Sequence, residues 1–201
     1  MTADDGLFRW IALTATLSTF AISIYFRHRA DMAGGRVSRD DEATPVRLGL
    51  GVSALLGFGG LLAYFISPPL MAWTMVPVPA WVRWTGVALT VAGAAGAWWI
   101  FSTLGYNVTR TARTRDRATL VTTGPYAIVR HPLYTNAALV FAALSLVTRS
   151  WWFAAWIVPA LLLLAVRTRT EEANLEARFG DAWRAYAART GRFVPKLAVM
   201  K

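Results

Sequence analysis

Residues 82–104 read Val82-Arg-Trp-Thr-Gly-Val-Ala-Leu-Thr-Val-Ala-Gly-Ala-Ala-Gly-Ala-Trp-Trp-Ile-Phe-Ser-Thr-Leu104, with Arg83 as the only charge. A run of this length and polarity matches the ~30 Å hydrocarbon core of a bilayer, which takes about 20 apolar helical residues to cross. Its small residues, Gly86, Ala92, Gly93, Ala94, Ala95, Gly96 and Ala97, allow a neighbouring helix to approach closely. Four further apolar runs, at 7–26, 48–66, 132–148 and 151–168, make five candidate spans. The last two nearly abut and suggest a tight helical hairpin turning at Thr148, Arg149 and Ser150. Pro159 is tolerated inside such a helix because neighbouring helices and local adjustments satisfy the freed carbonyl.

Composition agrees. The 201-residue chain is 56% hydrophobic and 16% charged, with a mean hydropathy of +0.41, which excludes a disordered chain. Its net charge of +10 is spread between apolar runs rather than gathered in a soluble domain, so no nucleic-acid partner is implied. Cysteine is absent, which excludes disulfides, thiolate metal sites and a thiol nucleophile. With five spans, segments 27–47, 105–131 and 167–201 share one side and carry five, five and eight Lys and Arg residues, 18 in all. The other side carries three, Arg9, Arg83 and Arg149. Basic residues collect on the cytoplasmic side, so the amino terminus is expected outside and the carboxyl terminus in the cytoplasm. The acidic leader, Asp4-Asp5, and the lack of a small-residue cleavage site make the first run a retained helix rather than a signal peptide.

The expected fold is thus an all-α integral membrane protein of five transmembrane helices. A three-helix membrane region at 1–104 precedes a region at 105–201 that carries the chemistry. Tryptophans 73, 81, 84, 98, 99, 151, 152 and 156 fall mostly near span ends, where indoles favour the interface. Residues 31–45, with Gly34-Gly35 and mixed charges, read as a cytoplasmic loop. Residues 171–190 read as a cytoplasmic amphipathic helix, since Leu175, Phe179, Trp183 and Tyr186 recur at three- and four-residue spacing. The run Arg110, Arg113, Arg115 and Arg117 enforces topology or binds acidic lipid. Asn107-Val-Thr109 is formally a glycosylation sequon on the wrong side for modification.

Two polar segments flank the last two spans. The first is Thr119-Leu-Val-Thr-Thr-Gly-Pro-Tyr-Ala-Ile-Val-Arg-His-Pro-Leu-Tyr134. Gly124-Pro125 marks a turn, and Pro132 suits the first turn of a helix, where its missing N–H costs nothing. His131 then stands at a helix amino terminus, where free N–H groups can meet an anionic ligand group. Alternatively, Arg130 and His131 anchor the helix at the headgroups. In the second segment, Arg167-Thr-Arg-Thr-Glu-Glu172, Arg167 and Glu171 share a helix face. They suit an anionic substrate and a hydroxyl-rich or cationic cofactor, or form an ordinary surface ion pair.

Together these segments resemble the isoprenylcysteine carboxyl methyltransferase family and its phospholipid methyltransferase relatives. The matching residues are Leu120-Val121, Gly124-Pro125-Tyr126, Arg130-His131-Pro132-Leu133-Tyr134, Glu171-Glu172, Leu175, Phe179-Gly180, Tyr186 and Arg192-Phe193-Val194-Pro195, over roughly residues 105–196. The resemblance implies an S-adenosylmethionine-dependent membrane methyltransferase with no metal. Cofactor contacts would fall on Thr119, Leu120, Val121, Tyr126, His131, Pro132, Leu133, Tyr134, Glu171 and Glu172. Arg167 would orient the acceptor, with Glu171 as its catalytic companion; the acidic run before Leu175 is shorter than in eukaryotic members, so Arg169 could take the place of Arg167. The family's Gly-x-Gly element has candidates in Gly49-Leu-Gly51 and Gly57-Phe-Gly59. The implied acceptor is lipophilic, a prenylcysteine-like carboxylate or a related lipid or small molecule, reached from the membrane lipids of a bacterial inner membrane, with no obligatory protein partner. NADPH-dependent sterol reductases resemble the same carboxyl-terminal half, and a non-enzymatic scaffold or lipid-binding subunit is the third reading.

Overall fold

A computed structural model describes residues 3–34, 44–108 and 119–196. It is helical throughout: α1 Ala3–Gly34, α2 Thr44–Ile66, α3 Ala80–Leu104, α4 Pro132–Thr148, α5 Trp151–Phe179 and α6 Asp181–Arg189. Short 3-10 turns fill Pro68–Thr74, Gly105–Asn107 and Gly124–Ala127. Among the described residues there is no strand, and two isolated bridges, Met75 with Ser150 and Val129 with Gly191, tie connectors together.

Helices α1, α2, α3 and α5 are long and apolar enough to cross a membrane. α4 has 17 residues, about 25 Å at 1.5 Å per residue, at the short end of the range that crosses a bilayer. Four of the five spans read from sequence thus have the length of a full crossing, and α4 is the shorter fifth apolar helix. α4 and α5 do form the expected hairpin, with Arg149 in the left-handed conformation (φ 60°) at its turn. α5 runs on to Phe179 rather than ending at 168, because residues 167–179 are good helix formers without being apolar. Gly180 stops it: at φ 53° it takes a conformation that costs other residues. The helix expected over 171–190 is accordingly split into the end of α5 and the separate α6. The loop expected at 31–45 is helical at both ends, and its middle, like the 110–117 arginine run, lies outside the described residues.

Two glycine-lined seams set the packing. Along α3, a Cβ at Gly86 would lie 2.8 Å from Leu146 Cβ and 2.9 Å from the Ala143 carbonyl oxygen, and one at Gly93 would lie 2.5 Å from Val140 Cγ2. Asn136 Nδ2 donates to the Gly93 carbonyl at 3.0 Å. These contacts hold α4 flush against α3, the role the small residues suggested. On the other side, Gly57 and Gly60 of α2 receive Trp156 and Trp152 of α5, which a Cβ would meet at 2.1 and 2.3 Å. Those two indoles serve helix packing rather than the interface, and the Gly57-Phe-Gly59 stretch is part of a helix seam. Trp73, Trp81, Trp84, Trp98, Trp99 and Trp151 remain exposed, as interfacial tryptophans should.

The seam makes a prediction. Gly86→Val should destabilise the detergent-solubilised protein by about 1–3 kcal/mol through overpacking, read as a lowered thermal midpoint. Gly51→Ala, where a Cβ meets nothing within 4 Å, should leave the midpoint unchanged or raise it.

Candidate active site

The site forms where the end of α3, the start of α4 and the end of α5 meet. Gly124 begins the turn before α4 at φ 57°, and a Cβ there would lie 2.9 Å from Thr103 Oγ1. Only glycine supplies both that angle and that approach, so the Gly-Pro-Tyr turn seats on the last turns of α3. Upstream, the Asn107 side chain clasps Thr119: its Oδ1 accepts from the Thr119 N–H at 3.0 Å, and its Nδ2 donates to Thr119 Oγ1 at 3.3 Å. This fixes the start of the segment 119–123. Pro132 opens α4 as expected.

The carboxyl-terminal tail closes the site from the other side. Tyr186 of α6 is buried, and its hydroxyl donates to the Tyr126 carbonyl at 2.7 Å. The chain then returns alongside the loop before α4, where the Arg130 N–H donates to the Gly191 carbonyl at 2.8 Å and the His131 N–H to the Arg192 carbonyl at 3.0 Å. Gly191 is needed for this bend, because a Cβ would sit 1.9 Å from the Val194 carbonyl oxygen.

The two carboxylates of α5 have different surroundings. Glu172, with 13% of its side chain exposed, is enclosed by cationic and donor groups from two other segments. Arg130 Nε donates to its Oε1 at 2.9 Å, His131 Nε2 at 3.0 Å and Arg192 Nε at 3.1 Å. A second Arg192 nitrogen reaches Oε2. Arg130 also donates to the Ala187 carbonyl at 3.0 Å and to that of Thr190. Arg130 and His131 are thus internal ties, not headgroup anchors. Glu171 is more open, with 30% of its side chain exposed. Its Oε2 accepts from the Tyr134 hydroxyl at 3.4 Å and lies 4.0 Å from His131 Nδ1.

Aromatic rings wall this carboxylate. His131 stacks on Tyr134 with centroids 5.7 Å apart and planes 10° from parallel, and Phe193 leans on both. Burial first, and then the Glu171 charge, push the Tyr126 phenol above its usual range. Burial likewise pushes Tyr186 up to about 12. Both hydroxyls therefore stay protonated donors at neutral pH.

Of the residues named from sequence, His131, Tyr134, Glu171 and Glu172 converge, with Tyr126 beside them. Leu120 and Val121 are half-buried in the extended stretch after Thr119. Leu133 packs its side chain against the core of Phe26, Ala97 and Phe101. Arg167 lies one turn before Glu171 and is partly buried, whereas Arg169 is exposed. Asn107, Arg130, Arg192 and Phe193 join the site in addition to the residues expected from sequence. The signal for the last two was present in the closing Arg-Phe-Val-Pro. Among the described residues no group of three or more His, Asp or Glu side chains could hold a metal ion.

Comparison with known proteins places this region. The family model described as phospholipid methyltransferase matches residues 81–182, about half of the chain, from the start of α3 into α6. Among curated proteins, the nickel-cobalt-cadmium resistance protein NccN of Alcaligenes xylosoxydans xylosoxydans is 34% identical over 87 residues, 43% of this chain and 41% of that one. The cobalt-zinc-cadmium resistance protein CzcN of Cupriavidus metallidurans is 36% identical over 88 residues, 43% and 40% respectively. The chain thus spans about two-fifths of the length of the curated relatives it matches. The matched family segment contains the Gly-Pro-Tyr turn, the His131 loop and the paired glutamates, and the chain belongs to the phospholipid methyltransferase family of membrane methyltransferases.

Proposed function

We propose that this protein transfers a methyl group from S-adenosylmethionine to a lipophilic acceptor at the cytoplasmic face of the membrane. The observation that carries the reading is the division of labour between the glutamates. Glu172 is consumed in holding the tail and loop together, while Glu171 keeps an open carboxylate inside an aromatic wall.

The residues present fit the cofactor. A carboxylate backed by Tyr134 and His131 suits ribose hydroxyls or a sulfonium charge, and the rings of Tyr126, Tyr134 and Phe193 offer faces for an aromatic base or a cation. The segment 119–121 offers backbone donors and acceptors beside them. When bound, the cofactor supplies a methyl group already activated by its positive sulfur. The chain's own residues then have three tasks. Glu171 and Tyr134 fix one reactant, Arg167 draws in and orients an acceptor with an anionic group, and the tail with Phe193 keeps water from the reacting atoms. Holding two reactants in line supplies much of the rate acceleration without a protein nucleophile.

The charge asymmetry of the sequence supports placing this end in the cytoplasm, where the polar donor is available. The acceptor would enter sideways from the bilayer. A prenylcysteine-like carboxylate, a lipid amine and a small lipophilic acid or thiol all fit that route, and the metal-resistance names of the two relatives give one setting in which to look.

Ligand binding and three variants test the reading. Labelled S-adenosylmethionine should bind the purified protein and NADPH should not. Glu171→Gln should weaken that binding at least tenfold with little change in thermal midpoint, while Glu172→Ala should lower the midpoint, at a cost of about 3 kcal/mol for breaking a buried charge cluster. Arg167→Ala should raise the KM for an acidic acceptor and leave cofactor affinity intact. Fully active Glu171 and Arg167 variants would contradict the assignment, and NADPH binding would favour the reductase alternative.

A further inference from the structure

The three basic residues that the sequence leaves on the sparse side, Arg9, Arg83 and Arg149, are not scattered. All three line one cavity of about 210 Å³ at the opposite end of the bundle from Glu171. The two ends are separated by α4, or about 25 Å. The first turns of α1, the Pro68–Thr74 turn, the start of α3 and the α4–α5 turn enclose it.

Asp5 is the single described acidic residue among those lining the cavity. Arg83 donates to its Oδ1 at 2.8 Å, and an Arg149 terminal nitrogen lies 3.2 Å from the same oxygen. Three guanidinium groups against one carboxylate leave two positive charges in excess at the cavity. Part of this arrangement is structural. Arg9 donates to the Phe65 carbonyl at the end of α2, and Arg83 Nε to the Val147 carbonyl at the end of α4, 3.1 Å away, where cations suit the helix dipole. Arg149 is different: its Nε is buried and has no acceptor among the described residues. The Arg149 side chain is nonetheless 28% exposed, so with Nε buried its terminal nitrogens are the part of the group that can meet an anion in the cavity.

Apart from Tyr64 and Thr148 the remaining wall is apolar, with Pro68, Pro69 and Ala72 on one side. At about 30 Å³ per water, the cavity has room for a phosphate group and the atoms attached to it. Guanidinium forks match phosphate oxygens in geometry and charge.

We propose that this cavity binds a phosphate or phosphodiester group, separately from the methyl-transfer site and whatever that site's acceptor is. Arg149 and Arg9 contact the anion, Arg83 and Asp5 hold them in place, and the proline wall faces the group's organic substituent. A phospholipid headgroup and free phosphate share this chemistry.

The test uses the full-length protein in neutral detergent, with binding followed by native mass spectrometry and by thermal midpoint. The probes are phosphatidylglycerol, phosphatidylcholine as the net-neutral control, and inorganic phosphate. Phosphatidylglycerol should be retained and raise the midpoint more than phosphatidylcholine. Arg149→Asn, which suits the left-handed backbone at that position (φ 60°), should weaken retention about tenfold, and Arg9→Gln should weaken it less. Arg184→Gln makes the same charge change on exposed α6 and should have no effect. Loss of both phosphatidylglycerol and inorganic phosphate binding in Arg149→Asn assigns the site to the phosphate group itself; loss of phosphatidylglycerol binding alone assigns it to a lipid. Undiminished binding in both Arg149→Asn and Arg9→Gln, or an equal loss in Arg184→Gln, would overturn the proposal.

Discussion

One carboxylate joins the parts of the chain that make the site. Glu172 sits near the end of α5, Arg130 and His131 precede α4, and Arg192 follows α6, yet their side chains meet around it. Without that charge, Arg130 and Arg192 would lose the carboxylate they share. The main-chain pairing of 130–131 with 191–192 would then lose its brace. Everything ascribed to Glu171 follows, because the open carboxylate keeps its place only while its neighbour is held.

The same logic of charge governs the bundle's two ends. At one end, arginines surround a carboxylate in near balance and leave a second carboxylate open. At the other, arginines outnumber the single described carboxylate and leave guanidinium groups in excess. The apolar seams between them are uncharged, held by glycine contacts and by Trp152 and Trp156 seated on α2. A membrane protein has no hydrophobic drive to pack helix on helix in lipid, so close contact and polar ties carry the association. Both kinds are present here, the first along the helices and the second at their ends.

Much of this was legible in the sequence for physical reasons. Long apolar runs fixed α1, α2, α3 and α5, because bilayer thickness sets their length. The Arg-His-Pro-Leu-Tyr and Glu-Glu segments marked the site, because ionisable residues beside apolar spans need partners. The end of α5 was hidden, since residues 167–179 carry helix propensity without hydrophobicity. α4 is the hardest span to read, since apolar character alone does not say whether 17 residues reach across. The different environments of Glu171 and Glu172 were invisible: adjacent identical residues differ only in which partners the fold brings, and Arg192 arrives through backbone pairing that no spacing rule reports.

The central claim is that Glu171, with its aromatic wall, holds the methyl donor. The most direct measurement is an experimental structure of the protein with S-adenosylhomocysteine, the product form of the donor. That molecule should lie against Glu171, Tyr134 and the 119–121 backbone, with Glu172 still enclosed by Arg130, His131 and Arg192. Density for it elsewhere in the bundle, with the Glu171 carboxylate untouched, would contradict the claim.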